Sequence, residues 1–504
     1  PPSLAITGPS AHGLVLSSPW KRSVRRSVLL WVYYVQYKIG TKHSMEKCEL
    51  IYKDVVVIGN GPSGITLSYM LHGNWPYYNG QKLADEFLQA RLDLHGGTSL
   101  VEQNLCFLSQ GLTGRSSNPI AVLYDALNHP SADIGAEESS ALRWQREDDK
   151  HIDHVVLGRG RPGGAWHHLG GTTLTISLGS WMELPNYSFE QWEAETQPRA
   201  DIPISKQNRA TAASVAQYYA DYVKHEDLSP SFRSNMEVLG VRSLGAETQA
   251  GRPGTRWEVT VHDLQSDEVV RFATPHVVLA TGSADVPNRL CVPGERLPFV
   301  LHSYSEFESL LEGGALTPDS DPILIVGAGL TAADAVMTAY FHNIPTLHAF
   351  RRDVTDSKLI FRTLPTNLYP EYHKVFQMMQ DGGRSYNGYH SYPAHTVREI
   401  RDNKTVLIQD PRGKCLTAAV SYVIVLIGSR PDLSFLPPEW SLGRLQEESI
   451  QCKHNPVIVD PYSMESVTYP GIFALGPLAG DNFVRFLQGG ALAVVSHLNK
   501  INQS

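Results

Sequence analysis

The feature that constrains this chain most is the stretch YKDVVVIGNGPSGITLSYML, residues 52–71. Val55 to Ile58 form a continuous apolar run, as in a parallel strand buried on both faces. Gly59, Gly61 and Gly64 then give G-x-G-x-x-G, with Pro62 and Ser63 inside it, and Ile65, Leu67, Met70 and Leu71 continue at helical spacing. Strand, glycine turn and helix in that order describe a dinucleotide-binding unit. One glycine makes the tight turn, one lets the backbone approach a pyrophosphate, and the third lets the helix pack close to the strand. The phosphates then sit at the positive end of the helix.

The pattern recurs in DPILIVGAGLTAADAVMTAYFHNIPTLHAFRRD, residues 321–353. Ile323 to Val326 form the strand, Gly327 and Gly329 the turn, Thr331 continues the loop, and Ala332 takes the third glycine position. The next strand, Pro345 to Phe350, ends at Arg351 and Arg352. Where NAD-binding loops place an acid on the ribose 2′-hydroxyl, an arginine pairs with a 2′-phosphate. NADPH is therefore expected here ahead of NADH, against the plainer reading of two arginines solvating a strand end. Two such loops suggest a flavoprotein with FAD on the first and NADPH on the second. The order of the later segments agrees: HVVLATGS (276–283), with Ala280, Thr281 and Gly282; VSYVIVLIGSRPDLSFL (420–436), with Gly428; and GIFALGPLAGDNFVRFLQGGALAVVSHL (471–498), with Gly480 and Asp481.

The expected fold is α/β, with two Rossmann-like dinucleotide-binding domains and a mixed helix and loop insertion after the first βα unit. The boundaries are a segment 1–45 outside the fold, an FAD domain 46–310 with its insertion at about 74–153, an NADPH domain 311–415, and a return to the FAD domain over 416–504. A chain of 504 residues, 42% apolar, suits two or three globular domains. Its formal charge of −8 leaves no basic footprint for nucleic acid. The five cysteines are scattered, with no C-x-x-C, which argues for a reducing compartment and against both a disulfide framework and a redox-active disulfide. Before Met45, KRSVRRSVLLWVYYVQYK sets a short apolar run between basic flanks, less than the roughly 20 residues a membrane-spanning helix needs. That segment is expected to be disordered or foreign to the natural product, with an amphipathic anchor or targeting sequence as the alternative.

One element is out of place. A ribose-binding acid should close the second strand of the first unit. Two segments compete for that role: TSLVEQ, which ends near Glu102, and HVVLGRGRPGGAW, where Gly158 and Arg159 stand at the strand end. Before TSLVEQ lie a turn-rich NWPYYNGQ and a helical pattern in KLADEFLQARLDL; between it and HVVLG lie a helical pattern in IAVLYDALN and a charged run from Glu137 to Lys150 read as a solvated loop.

The motif Gly163-Gly164-Ala165-Trp166 after a strand resembles the G-G-[TA]-W of class B flavin monooxygenases, where it packs on the flavin. More specifically, VVVIGNGPSGITLSYML, LTGRSSNPIAVLYDAL, HVVLGRGRPGGAWH, LTISLGSWMELP, LIVGAGLTAADAV, LYPEYHKVFQMM and LGPLAGDNFVRFLQGGALAV together resemble the oxidative stress-induced growth inhibitor family, in order over residues 50 to 498. The resemblance implies an NADPH-dependent FAD monooxygenase. Hydride would pass from NADPH to FAD, O2 would be captured as a C4a-(hydro)peroxyflavin, and one oxygen atom would go to a small-molecule or protein substrate. It also implies a cytoplasmic protein with roles in growth control, cell death and cytokinesis, and cytoskeletal or midbody partners.

Two departures stand against a full carry-over. In the flavin-monooxygenase fingerprint Arg296 and Pro298 replace the Phe and Gly, and the Gly-Asp under the flavin reads Gly476-Pro477, with Asp481 the nearest substitute. The candidates at the reacting centre are Asn60, Trp166, Asn482 and Arg485. For Asn60 the choice is between a donor to the oxygenated flavin and a residue that only suits the loop. For Arg485, between Phe483 and Phe486, it is between a substrate contact and a structural ion pair. Trp181, Met182 and Leu184 read as core or cavity lining, and Tyr369, Glu371, Tyr372 and His373 have no metal-ligand spacing. With Gly158 in the acid's place, the ribose contact falls to backbone, Arg159 or Glu102. A fold kept for regulation and a plain electron-transferring reductase or oxidase are the rival classes.

Overall fold

In the computed structural model the described residues are 50–136, 138–196, 208–244 and 254–503. Segment 1–45, with its targeting alternatives, lies outside them.

Val55–Ile58 is a central strand of a parallel sheet in the order Ile472–Ala474, His276–Leu279, Val55–Ile58, His154–Leu157, Phe232–Arg233. All four residues of Val55–Ile58 and of His154–Leu157 are buried, as apolar runs in a doubly covered sheet require, with His154 held by Ser68 and Ile152 O. Ile58 lies level with Leu157 on one side and Leu279 on the other, so three chain turns leave the sheet at one edge. The helix Pro62–Leu71 follows the first turn. A second parallel sheet repeats the plan in the order Val300–Leu301, Val423–Val425, Ile323–Val326, Thr346–Phe350, Tyr389–Pro393, with the helix Leu330–Phe341 after its glycine turn. A sheet built from Leu50–Tyr52, Glu268–Thr274, Trp257–Asp263 and Met236–Ser243 belongs with the first unit. A three-stranded antiparallel sheet, Thr396–Ile400, Thr405–Gln409 and Cys415–Ala419, follows in the second. The chain passes between units through the two-stranded ribbon of Val286–Pro287 and Ser429–Arg430.

These pairings move the expected boundaries. Val300–Leu301 pairs with Val423–Val425, so the second unit starts before residue 300 and runs past 425, rather than from 311 to 415. The strands Cys415–Ala419 and Val423–Val425 belong to it, and the return to the first unit follows the ribbon.

The insertion also differs from its reading. Asn74–Tyr78, expected as a turn, is a strand paired antiparallel with Leu142–Arg146, which lies inside the charged run expected as a loop. Trp75 and Tyr77 are buried, while Pro76 is tolerated because a two-stranded ribbon leaves one edge free. Arg143 lies over the Tyr77 ring at 4.6 Å and Trp144 meets Tyr69 edge-on at 5.3 Å. Aromatic packing thus outweighs the flanking turn residues. The helices Glu86–Asp93 and Pro119–Asn128 contribute Leu88, Leu92, Ile120, Leu123, Tyr124 and Leu127 to the same core as Val55, Ile65 and the C-terminal helix Val484–Gln503.

Candidate functional site

Three turns close on the first glycine loop. Ala280–Gly282 follows its strand directly onto Gly59: Ala280 N–H donates to Ile58 O at 2.8 Å, and a Cβ at Gly59 would run into the Ala280 carbonyl. Gly163 N–H donates to Asn60 O at 2.9 Å, which brings Gly163-Gly164 against Gly61. Gly476 lies against the hydroxyl of Ser63. Gly61 is the N-cap of the helix, with no side chain bonding to the free N–H groups and Pro62 in the first turn. A Cβ at Gly61 would meet nothing within 4 Å. The helix therefore presents uncapped donors to open space, as a phosphate-binding turn does. Thr281 Oγ1, buried beside it, has no partner. These residues fit a dinucleotide phosphate.

Of the two competing segments, His154–Leu157 is the strand beside the first one. It pairs with Val55–Ile58, whereas Thr98–Gln103 forms turns. Glu102 is exposed near Tyr77 of the ribbon, and no described contact takes it to the first loop, so its expected place on the ribose is not supported. Arg159 turns its guanidinium to Asp432 at 3.4 Å and Glu237 at 4.0 Å. The position at the strand end is Gly158, and the side chain of Asn60 fills the space over it. Asn60, 4% exposed, donates its amide to Gly160 O at 2.8 Å. It is tied into this corner by both side chain and main chain, which opposes a free donor to the flavin.

The second loop repeats the first. Gly327 N–H donates to Ala349 O at 3.0 Å, a Cβ on Gly327 would meet the Leu426 carbonyl, and Ala332 packs behind it. Gly329 caps its helix without a side-chain bond and faces open space. Thr331 is exposed in the first turn, and Gly428 follows the neighbouring strand with φ +85°. His348 fixes the loop from beneath: its Nε2–H donates to Gly327 O at 2.6 Å and its Nδ1 accepts from Tyr389 Oη at 2.8 Å. At the strand end Arg351 is exposed, while Arg352 pairs with Asp356 at 2.8 Å.

Beyond Gly480, which has φ +100°, the last segment is bound to the insertion. Asp481 is buried and accepts from Asn118 Nδ2 at 2.9 Å and Ser116 Oγ at 2.5 Å. Burial pushes its carboxyl up, against those two hydrogen bonds. Arg485, 3% exposed, grips Asp125 with two nitrogens, reaches Asp133 at 3.1 Å and lies 4.7 Å from the Trp181 ring. That is the structural ion pair. Neither acid was singled out in the sequence, because the pairing crosses from the insertion to the C-terminal helix. Asn482 is exposed, and Trp166, half-buried, meets Tyr219 at 6.2 Å. Met182 and Leu184 are core. Glu371 pairs with Arg209 at 2.5 Å and His373 bonds to Leu364 O at 2.7 Å. No cluster of metal-binding side chains occurs among the described residues, nor any helix long and apolar enough to cross a membrane.

The family model described as pyridine nucleotide-disulphide oxidoreductase matches residues 169–497. Among solved structures, bacillithiol disulfide reductase Bdr from Staphylococcus aureus superposes with TM-score 0.57 at 14% identity, covering 90% of this chain and 100% of that one. Ornithine hydroxylase from Pseudomonas aeruginosa gives 0.55 at 14% identity, covering 89% and 99%. A reductase and a hydroxylase share this fold, so the likeness speaks for architecture alone. The mouse oxidative stress-induced growth inhibitor 1 is 45% identical over 459 residues, 88% of this chain and 95% of that protein. With two nucleotide loops on a flavin-dependent oxidoreductase fold and that identity along nearly its whole length, the chain belongs to the oxidative stress-induced growth inhibitor family.

Proposed function

We propose that this chain is an NADPH-dependent flavin monooxygenase, with FAD on the first loop and NADPH on the second. The observation that carries the reading is the pair of uncapped helix N-termini facing open space at Gly61 and Gly329, with the Gly163–Trp166 turn folded onto the first. Bound FAD would supply the redox chemistry, accepting hydride and activating O2. The protein's part is to hold and shield. Ser63 and Gly64 offer main-chain donors to the pyrophosphate, Ala280–Gly282 and Gly163-Gly164 wall the loop, and Arg351 offers its charge to a 2′-phosphate.

A redox-active disulfide is disfavoured, since among the described residues Cys106, Cys291, Cys415 and Cys452 are free and no two form a pair. The growth-restraining role in the relatives' name is carried to this chain as part of the same proposal.

The test is the absorbance spectrum of the purified full chain before and after anaerobic NADPH, followed by admission of O2. A flavin band that bleaches faster with NADPH than with NADH and returns with O2 uptake is expected. A colourless protein that takes up no FAD would sink the reading. Bleaching without reoxidation by O2 would leave a reductase in its place.

A further inference from the structure

The corner between Asn60 and Gly158 holds more than a missing acid. In this fold the residue that ends the second strand faces the adenosine ribose and offers it hydrogen-bond acceptors. Here that residue is Gly158, and a Cβ built on it would lie 2.6 Å from Asn60 Oδ1 and closer still to the rest of the carboxamide. A side chain at 158 and the observed Asn60 exclude each other.

Three observations fix how Asn60 stands. Its main-chain oxygen accepts from Gly163 N–H at 2.9 Å, so the backbone is held from the strand-end side. Its Nδ2 donates to Gly160 O at 2.8 Å, and because a carbonyl can only accept, this sets which way round the amide lies. Oδ1 accepts none of the hydrogen bonds found among the described residues. The oxygen is not among the fully buried unpaired atoms of the described residues, so it meets accessible space with its acceptor capacity unused. Meanwhile Arg159 is engaged by acids and Glu102 is exposed beside Tyr77.

Resting on the flavoprotein reading above, we propose that Asn60 Oδ1 takes over the ribose contact, accepting from a hydroxyl of the adenosine vicinal diol of FAD. The acceptor has moved from the strand end into the glycine loop, and the loss of a side chain at 158 makes room for it. A neutral amide offers one acceptor oxygen where a carboxylate offers two, so the ribose is held by a single uncharged contact.

The experiment uses the full chain stripped of flavin, titrated with FAD and with an FAD analogue lacking both hydroxyls on the adenosine ribose, and read by flavin fluorescence. The wild type should prefer FAD by about threefold to tenfold, the worth of one such hydrogen bond. Asn60→Ala should bind both flavins alike. Gly158→Glu should lose FAD, and the swap Asn60→Gly with Gly158→Glu should regain both binding and preference for the diol. The swap keeps the question open to test even where a single variant fails to fold.

A wild type that binds FAD but does not distinguish the two flavins overturns this assignment alone. So does an Asn60→Ala protein that keeps the full preference. A wild type that binds neither flavin overturns the flavoprotein reading and this assignment with it.

Discussion

At the scale of single residues, the second glycine loop rests on one buried neutral side chain, that of His348. It is wholly buried and its imidazole is pushed down from 6.5 to about 4 by burial, against the pull of its bond to Gly327. Its partners need the neutral Nε2–H tautomer, since Gly327 O accepts and Tyr389 Oη donates. The sign follows from linkage. Above 6.5 the residue is neutral in both folded and unfolded chains. As pH falls below 6.5 the unfolded chain gains a proton that the folded chain refuses until about 4, so stability is lost across that window. His348→Gln should flatten the fall of unfolding temperature between pH 6.5 and 4.5 by up to one proton's worth, about 1.4 kcal/mol per pH unit. Parallel curves for variant and wild type would show that His348 does not carry the effect. Residue-scale detail of this kind is the least legible in sequence. The glycine motifs could be read, but the exclusion between Asn60 and Gly158 is a relation in space between segments that the insertion holds far apart in the chain.

At the scale of elements, strands and helices that bind nucleotide were legible because each has a continuous apolar run ending in glycines. The insertion was not. Its helices carry ordinary spacing, but the Asn74–Tyr78 and Leu142–Arg146 strands are stabilised by each other, by aromatic contacts to the first helix and by Ser99 and Leu100, which both donate to Pro76 O. No window of sequence contains both. The insertion is also part of the core, where Pro119–Asn128 packs on the C-terminal helix so closely that a Cβ at Gly489 would sit 2.5 Å from Ala121 Cα and from Ile120 O. Two effects then compete in Gly489→Ala. Alanine favours a helix interior by about 1 kcal/mol, while forcing atoms into a packed contact costs about 1–3 kcal/mol. The obstacle is backbone on both atoms, which cannot rotate away, so the packing cost should win. Gly489→Ala is expected to lower the thermal unfolding temperature, and a higher one would mean the two helices part easily.

At the scale of the whole molecule, the two nucleotide units are fastened together by side chains that neither loop motif announces. The hairpin of Leu174–Leu178 and Arg209–Thr211 belongs to the first unit, and the helix Pro370–Asp381 to the second. Arg209, its side chain 8% exposed, joins them. It pairs with Glu371 at 2.5 Å, donates to Leu368 O at 3.2 Å and to Thr175 O, and lies 4.7 Å from the Tyr369 ring centre. Tyr369 Oη in turn donates to Ile176 O at 2.5 Å. Nearby, Gly170, just beyond the Trp166 turn, is crowded by Tyr304 and Glu308 of the second unit. The clasp therefore bears on how a nucleotide at Gly329 is presented to one at Gly61, since both loops belong to bodies it holds in one orientation. Removing a nearly buried guanidinium leaves Glu371 and the carbonyls of Leu174, Thr175 and Leu368 without their donor, a cost of about 1–3 kcal/mol when partner groups stay partly wet. In Arg209→Ala, amide hydrogen exchange should speed up about tenfold or more along 174–178, 209–211 and 369–372, while Val55–Ile58 and Ile323–Val326 keep wild-type protection. Glu371→Gln keeps an acceptor for Arg209 and should show a smaller rise in the same segments. If exchange in Arg209→Ala were unchanged, the carbonyl and ring contacts of Tyr369 alone would be holding the units. If protection were lost through both sheets as well, Arg209 would be supporting each unit's fold and not the joint between them.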